Sequence, residues 1–431
     1  MRFLSILISF WLIPVVAGAQ LQFGSLGELL GYADQHGAAA RQARLQPGIA
    51  RQDVNIQASG LYPRVNAFAS GDYYPIIATQ VIPAEVLGGA PGTYLKAQFG
   101  LPYVFQAGTE ISMPVVDLGK WAQLSKAKAQ HLQAEWGSKA ALENYHIQLM
   151  QAYYQVLVTR EVQKLNSENM TVADELLRIV EARYNTGVLN PADLNRARNL
   201  RIDVQATNIN YEKAVQQGIN NLQSFLTTND NIALKEELSN FNWPGAQTSM
   251  DVTDRAAWQE ASMRVRVAEL ALSESRRSGL PKLGLNGRYA YNMQTHLDEG
   301  KSNVEFDVAS INLRLDVPLF QGNYYRSLQT KNKLQLESAR YDEERTRATL
   351  TQQQNDWAVQ YRAAYDRNEV LKQKLAGVTE NLRIAKLSME EGAMEFDEFN
   401  NIFVEYNRAR MEYIQNLADG VLYHLLSTQK F

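Results

Sequence analysis

The feature that most constrains this chain is a turn that it contains twice. The stretch "YNTGVLNPADLNRA" at 184–197 is echoed by "MEEGAMEFDEFNNI" at 389–402, and in each copy an acid lies six residues after the glycine. Residues farther from the turn are also repeated at nearly the same spacing. Pro114 precedes Gly187 by 73 residues, and Pro318 precedes Gly392 by 74. A fixed step over such a distance indicates a duplicated unit, which we divide into repeat 1, at 20–240, and repeat 2, at 241–431.

Each repeat is predicted to contain a helix, two strands, a very long helix, the turn and a return helix. The strands are expected at about 61–116 in repeat 1 and at about 280–320 in repeat 2. The helical hairpins are expected at about 120–228, with a tip at 184–193, and at about 323–428, with a tip at 388–399.

The strand regions alternate apolar and polar residues and are rich in aromatic side chains, as in "PKLGLNGRYAYN" at 281–292. The phase of this alternation flips near Ala309 and Ser310, and we expect a β-bulge there. One apolar and one charged face suit a wall with lipid outside and water inside. They equally suit a soluble hairpin with one solvated face, and alternation alone leaves both interpretations open.

The long helical regions contain no internal proline and carry apolar residues at coiled-coil spacing. Near the second turn Leu371, Leu375, Val378, Leu382, Ala385 and Met389 follow a 4-3-4-3-4 pattern. A helix of about 65 residues is about 100 Å long at about 1.5 Å per residue. No globular core is that deep, so these helices are expected to pack side by side.

The N-terminus carries an export signal. Arg2, the apolar run "FLSILISFWLIPVV" and Ala17-Gly18-Ala19 together predict a signal peptide at 1–19. The remainder has no window of about 20 apolar residues, so a membrane crossing would have to be made by β-strands. The chain has no Cys and a net charge of −3, which excludes disulfides and gives no argument for nucleic-acid binding.

The same residues argue against an enzyme. The five His residues show no metal-ligand spacing, and we find no nucleophile motif or paired carboxylates in a recognisable pocket. The glycines of "GSLGELLG" at 24–31 follow no predicted strand, so we do not interpret them as a phosphate loop. We predict no cofactor and no metal site.

The two turns are interpreted first as helix caps. Gly187 and Gly392 supply a left-handed residue that ends one helix, and Asn190 with Pro191 begins the next. Around the second turn six acids occur between Leu387 and Asn407 without a Lys or Arg: Glu390, Glu391, Glu395, Asp397, Glu398 and Glu405. Such a run is usually a solvated surface, but several copies meeting at an opening would form a carboxylate ring that favours cations.

Strand count then sets the assembly of any conduit. Two strands per repeat give four per chain, whereas about eight are needed to close a barrel. Three chains would give twelve strands and a lumen, and closed assemblies are normally symmetric. A threefold barrel continued by a helical tube therefore follows if the protein is a conduit.

The ordered, duplicated landmarks resemble the TolC-type outer-membrane efflux family over essentially the whole mature chain. They are "YPRV" and "LPKL" before the strands, "VPLFQGNYYR" before the second long helix and "RYNTGVLNPADLNRAR" at the first tip. The resemblance implies a homotrimer with a twelve-stranded outer-membrane β-barrel and a periplasmic α-helical coiled-coil barrel. It also implies a passive exit duct that works with a periplasmic adaptor and an inner-membrane transporter.

The resemblance also implies roles for particular tip residues. The acids expected at the periplasmic aperture are Asp193, Glu395, Asp397 and Glu398, and the adaptor-facing tip residues are Gly187, Val188, Leu189, Gly392, Ala393 and Met394. A further acid of the family would fall on Asn401, which is neutral, and Met389 and Met394 occupy positions where family members can carry an aromatic and a base.

A soluble periplasmic coiled-coil scaffold or adaptor without a pore is the alternative. It would share the long hairpins but has no need of aromatic strands such as "RYAYN" and "GDYY". The segment "PIIATQVIPAEVLGGAPG" in repeat 1 is interpreted as an enlarged external loop.

Overall fold

A computed structural model describes residues 20–238, 241, 243–244, 251–296 and 303–428. The predicted signal peptide lies outside these residues. The described residues contain seven α-helices and eight strands, in the order β1 (Gln20–Phe23), α1 (Leu26–His36), α2 (Ala38–Ser59), β2 (Arg64–Tyr73), β3 (Thr79–Pro83), β4 (Tyr94–Gln98), β5 (Tyr103–Val116), α3 (Leu118–Asn185), α4 (Pro191–Leu226), β6 (Asn231–Leu234), α5 (Ala256–Arg277), β7 (Lys282–Thr295), β8 (Val304–Asp316), α6 (Tyr324–Glu391) and α7 (Phe396–Thr428).

The duplicated plan is confirmed. The long helices α3 and α6 each have 68 residues, and the helices that precede the strands, α2 and α5, each have 22. The return helices α4 and α7 follow the two tips with 36 and 33 residues. Each repeat therefore uses the same succession of a helix, strands and a helical hairpin.

The four strands predicted for the chain form one antiparallel sheet in the order β2-β5-β7-β8. The strands β2 and β8 are its edges, and β5 pairs with β7 to join repeat 1 to repeat 2. The bulge expected near Ala309 and Ser310 is wrong, because β7 and β8 pair without a shift from Lys282–Asp316 to Gln294–Val304.

The flip in polarity has a different physical cause. By register, Glu305 and Asp307 of β8 lie on the same face of the sheet as Tyr289 and Tyr291 of β7, and the polar tyrosine hydroxyls interact with the two carboxylates there. Polar groups of β7 thus accompany the two acids on a face that is otherwise apolar, and no extra residue is needed in the strand.

Two short strand pairs were missed from the sequence. The enlarged loop of repeat 1 contains the antiparallel hairpin of β3 and β4, and β1 pairs in parallel with β6. The strand β1 directly precedes "GSLGELLG", so our expectation that no strand lies there is wrong. The segment nevertheless forms a helix cap: Ser25 Oγ accepts from Glu28 N, and Gly24 N donates to Glu28 Oε2 at 2.7 Å. The Glu28 carboxylate thus occupies an amide that a phosphate loop would present to its ligand.

The described residues form two compact units. The first, the helical unit, takes the described residues of 20–46, 135–260 and 344–428, and it contains the buried hydrophobic core. Ala385 and Met389 are almost fully buried there, as the coiled-coil spacing predicts. The second, the sheet unit, takes residues from 47–134 and 261–343. None of the described helices is long and apolar enough to cross a membrane.

A buried ion pair fixes the start of repeat 2 in the helical unit. The guanidinium of Arg255, just before α5, donates to the carboxylate of Glu143 on α3 and lies over the ring of Trp357 on α6. Both charged side chains are less than a tenth exposed. Desolvated charges of this kind persist only when they are paired.

Candidate functional site

The two helix tips share one backbone geometry. Gly187 and Gly392 have φ of +75° and +80°. At the first tip Val188 N donates to Arg183 O at 3.0 Å, and at the second Ala393 N donates to Ser388 O at 2.8 Å. These bonds define a Schellman motif, in which a left-handed glycine ends the helix and lets the chain reverse. The helix-capping interpretation of both glycines is confirmed.

The return helix of the first tip starts as its residues predict. Asn190 Oδ1 accepts from Ala192 N at 2.8 Å and from Asp193 N at 3.1 Å, and Pro191 is the first helical residue. In the second tip Phe396 takes the position of Pro191, and Asp397 and Glu398 lie in the first turn of α7. Acids in this turn interact favourably with the positive end of the helix dipole.

The structure brings two of the four predicted aperture acids together through a residue that sequence reasoning missed. Arg196 Nη1 lies 3.4 Å from Asp193 Oδ1 and 3.1 Å from Asp397 Oδ2. One guanidinium on α4 thus bridges the first tip to the second. Asp193 is mostly buried, whereas Asp397 is exposed. The signal available in the sequence was a single base three residues after Asp193.

The other two predicted aperture acids remain free. Glu395 and Glu398 are exposed, and among the described residues neither forms a hydrogen bond or ion pair through its carboxylate. Among the four predicted aperture acids, the negative charge that no cation neutralises is therefore carried by Glu395 and Glu398, and only in part by Asp397.

The predicted adaptor-facing residues divide into exposed and packed ones. Gly187, Val188, Gly392 and Ala393 are exposed, while Leu189 and Met394 pack against the hydrophobic core. A Cβ built at Gly392 would lie 2.8 Å from the Arg183 guanidinium of the first hairpin, which can move aside, so the positive φ is what requires a glycine there.

Further ion pairs join the two hairpins of the helical unit. Lys386 Nζ on α6 lies 2.5 Å from Glu175 on α3, and Arg410 on α7 lies 3.0 Å from Glu168 on α3. Within the second hairpin Lys374 Nζ donates to Glu412 at 2.9 Å, and this bond, with help from Arg408, lowers the pKa of the Glu412 carboxyl. The ion pairs between the hairpins lie near solvent and are individually weak, so they add to the hydrophobic core that the two hairpins share.

The sheet of the sheet unit has one apolar face, although much of that face is exposed. Residues that share it by register include Val65, Ile111, Leu285, Tyr289, Ile311, Leu313 and Leu315. Ile311 is 83% exposed and Leu313 64%. A surface of this kind on a folded chain marks contact with a membrane or another protein.

The opposite face of the sheet is mainly polar. Arg288 donates to Gln106 at 3.2 Å and lies over the ring of Phe68, and Asn286 donates to Asn312 at 3.3 Å. The partners of these bonds are on neighbouring strands, so the polar face is held by cross-strand contacts. One sheet therefore has an apolar face and a polar face.

Among the described residues no group of three or more His, Asp or Glu side chains is placed to hold a metal ion. The charged tips and the exposed apolar face of the sheet are the two surfaces from which a function can be argued.

Comparisons with known proteins agree with this architecture. The model of the outer membrane efflux protein family matches residues 32–228 and 254–419. None of the proteins of curated function matches the chain.

Solved structures of similar fold cover almost the whole chain. The Campylobacter jejuni CmeC outer membrane channel is 17% identical, with a TM-score of 0.78, over 93% of this chain and 84% of that one. Vibrio cholerae VceC, an outer membrane protein, is 15% identical, with a TM-score of 0.73, over 93% and 95%. The open-state Neisseria gonorrhoeae MtrE outer membrane channel is 16% identical, with a TM-score of 0.70, over 92% and 88%. Because the family model covers most of the sequence, this chain belongs to the outer membrane efflux protein family.

Proposed function

We propose that this protein is the passive outer-membrane exit duct of a tripartite efflux or secretion system. It would act as a homotrimer whose tips engage a periplasmic adaptor and which works with an inner-membrane transporter to export small molecules or proteins. The observation that carries the proposal is the four-stranded sheet, with an exposed apolar face, a polar face and two free edges.

The sheet has the features of a barrel segment. Leu283 to Tyr291 on the apolar side of β7 extends over about 26 Å at about 3.3 Å per residue, comparable with the roughly 25 Å apolar band of outer-membrane barrels. Three copies of the four-stranded sheet would supply twelve strands and pair every β2 edge with a β8 edge. Closure would satisfy the unpaired backbone groups of both edges.

The tips support the entrance role. Glu395 and Glu398 are exposed and unpaired in the described chain, and a symmetric trimer would carry three copies of each. A ring of carboxylates favours cations. The exposed Val188 and Ala393 would lie on the adaptor-facing surface, together with Gly187, Leu189, Gly392 and Met394.

A soluble periplasmic scaffold is the second candidate, and the long helical hairpins alone are compatible with it. The exposed apolar face disfavours it, since Ile311, Leu313 and Leu315 would all face water. In a lipid-facing wall the same residues would lie in hydrocarbon.

Planar-bilayer recordings test the proposal. Purified detergent-solubilised protein should insert and give long-lived conductance steps that favour cations, and the variant Glu395→Gln/Asp397→Asn/Glu398→Gln should favour them less. A matched control is Glu343→Gln/Glu344→Gln/Asp356→Asn, which removes three acids of α6 away from the tip. Folded trimer that never inserts would support the scaffold, and unchanged selectivity in the tip variant would remove the carboxylate ring.

A further inference from the structure

The base of the sheet contains a polar cavity that the tips and the apolar face leave unexplained. It measures about 260 Å³ and opens on the polar face, where β2, β5, β7 and β8 meet the helices of the sheet unit. Four cations line it, Arg64, Lys120, Lys282 and Arg314, against the two carboxylates of Asp117 and Asp316.

The fixed contacts leave most of this positive charge uncompensated. Lys120 Nζ donates to Gly60 O at 3.0 Å, and Asp117 Oδ1 accepts from Lys120 N at 3.0 Å as it caps α3. Arg314 lies 3.7 Å from Asp316, a loose contact. Within the part of the chain that the structure describes, the side chains of Arg64 and Lys282 have no hydrogen-bond or ion-pair partner.

Lys282 has no ion-pair partner in the described residues, although an acid lies opposite it. Lys282 is directly opposite Asp316 in the β7–β8 register, yet Asp316 contacts Arg314. Cations gathered in one concavity repel one another and weaken a sheet. An anion in the cavity removes that repulsion, and guanidinium groups bind carboxylate and phosphate in a bidentate fashion.

We propose that this cavity is an anion-binding site for a phosphate or carboxylate group, held by Arg64, Lys282 and Arg314 with Ser112 and Asn286 as neutral donors. Its volume suits a small oxyanion or the anionic end of a larger molecule. Because the cavity lies on the polar face of the sheet, the anion would come from the aqueous phase. In a duct, three such sites would form a basic collar that retains anionic groups of the cargo; this consequence for transport rests on the proposed function, whereas anion binding does not.

Calorimetry with pyrophosphate tests the site without any need for conduction. Protein in neutral detergent should bind the probe, and the variant Arg64→Gln/Lys282→Gln/Arg314→Gln should bind it at least tenfold more weakly. The matched control Arg51→Gln/Arg326→Gln/Lys331→Gln removes the same charge from exposed helix positions outside the cavity and should bind like wild type. No binding to wild type, or equal loss in both variants, overturns the proposal.

A variant that keeps the charge guards against misfolding. Arg64→Lys/Arg314→Lys preserves the positive field but loses the planar fork, so pyrophosphate should bind several-fold more weakly while the protein keeps its wild-type circular dichroism. Unchanged affinity would reduce the site to diffuse charge attraction and overturn the specific assignment.

Single-channel recordings test whether the site affects transport. They use bilayers of neutral lipid, because such bilayers carry no anionic headgroup that could occupy the site. Pyrophosphate should interrupt the wild-type current. The variant Arg64→Gln/Lys282→Gln/Arg314→Gln should lose these interruptions and should prefer cations more strongly than wild type does. If wild type gives no current, the proposed duct fails while calorimetry still decides the anion site. Uninterrupted current with intact binding would refute the collar's role in transport.

Discussion

At the scale of single residues, the balance of charge at the tips depends on Arg196. It contacts Asp193 and Asp397 at once, so one exposed base offsets acids of both tips. Exposed pairs of this kind contribute about 0.2–1 kcal/mol each and weaken with salt. Their larger effect is on the electrostatic potential at the tips, which an approaching ion experiences.

The variant Arg196→Gln should raise the cation preference of the conductance, because it frees the carboxylates of Asp193 and Asp397. The free energy of unfolding should fall by no more than about 1–2 kcal/mol, and by less in high salt. The matched control Arg198→Gln breaks a contact with Glu181 inside the first hairpin. A cation preference that falls, or that changes equally in both variants, would show that Arg196 does not govern the charge of the tips.

His424 makes the stability of the folded protein depend on pH. The ring of His424 on α7 lies 5.2 Å from that of Tyr361 and 6.1 Å from that of Phe241, and burial lowers the pKa of the imidazole. Since the folded-state pKa is below the unfolded one, the unfolded chain takes up a proton first as pH falls. Stability is therefore lost as pH drops through the ordinary histidine range near about 6.5.

Urea unfolding from about pH 8 to about pH 5 checks this, since that interval spans the histidine titration. Wild type should lose more stability across the interval than His424→Gln does. The control His36→Gln removes an exposed histidine of α1 and should leave the wild-type slope in place. Parallel slopes for wild type and His424→Gln would contradict the assignment.

At the scale of secondary-structure elements, the close approach of β5 to β7 requires a glycine. A Cβ built at Gly108 would lie 2.1 Å from Tyr289 O and 2.8 Å from Ala290 Cα, which no side-chain adjustment can relieve. At Gly287, on β7, the nearest atom to such a Cβ is 4.0 Å away.

The variant Gly108→Ala should therefore destabilise the sheet by about 1–3 kcal/mol through overpacking, whereas Gly287→Ala should change stability by no more than about 0.5 kcal/mol. Unfolding free energies in detergent, or the temperature at which the folded band is lost on a gel, measure both. Equal behaviour of the two variants would show that the β5–β7 spacing is not limited by Gly108.

Some secondary-structure elements could be predicted from the sequence and others could not. The long helices, the four-stranded sheet and the capping of both tips follow from apolar spacing, alternation, and Gly, Asn and Pro chemistry. The contacts of Arg196 with Asp397 and of Arg255 with Glu143 join residues far apart in the chain, so no local pattern could indicate them. The short strands β1 and β6 have four residues each, too few to show a period.

At the scale of the whole molecule, one buried pair joins the two repeats. Removing one partner of the Arg255–Glu143 pair leaves a buried uncompensated charge, so Glu143→Gln should cost about 3–5 kcal/mol. The double variant Glu143→Leu/Arg255→Met should recover most of that loss, because it buries no charge. Denaturant titrations of the single and double variants measure this. If the double variant is as unstable as the single one, the pair contributes to stability by more than neutralising its own buried charges.

Assembly is the largest step from one chain to a duct, and the chain suits a direct test because it has no Cys. In a closed barrel β2 of one copy pairs with β8 of the next, which brings same-face residues within disulfide reach. Ser310→Cys on β8, combined in turn with Arg64→Cys, Asn66→Cys, Phe68→Cys or Ser70→Cys on β2, samples the unknown register on the polar face.

At least one pair should give an oxidant-dependent trimer on a denaturing gel, because three chains close the ring. Trp136→Cys/Ser310→Cys, with one cysteine on α3, is the control and should stay monomeric. Dimers without trimers, or no cross-link in any register from folded protein, would rule out a closed three-chain barrel.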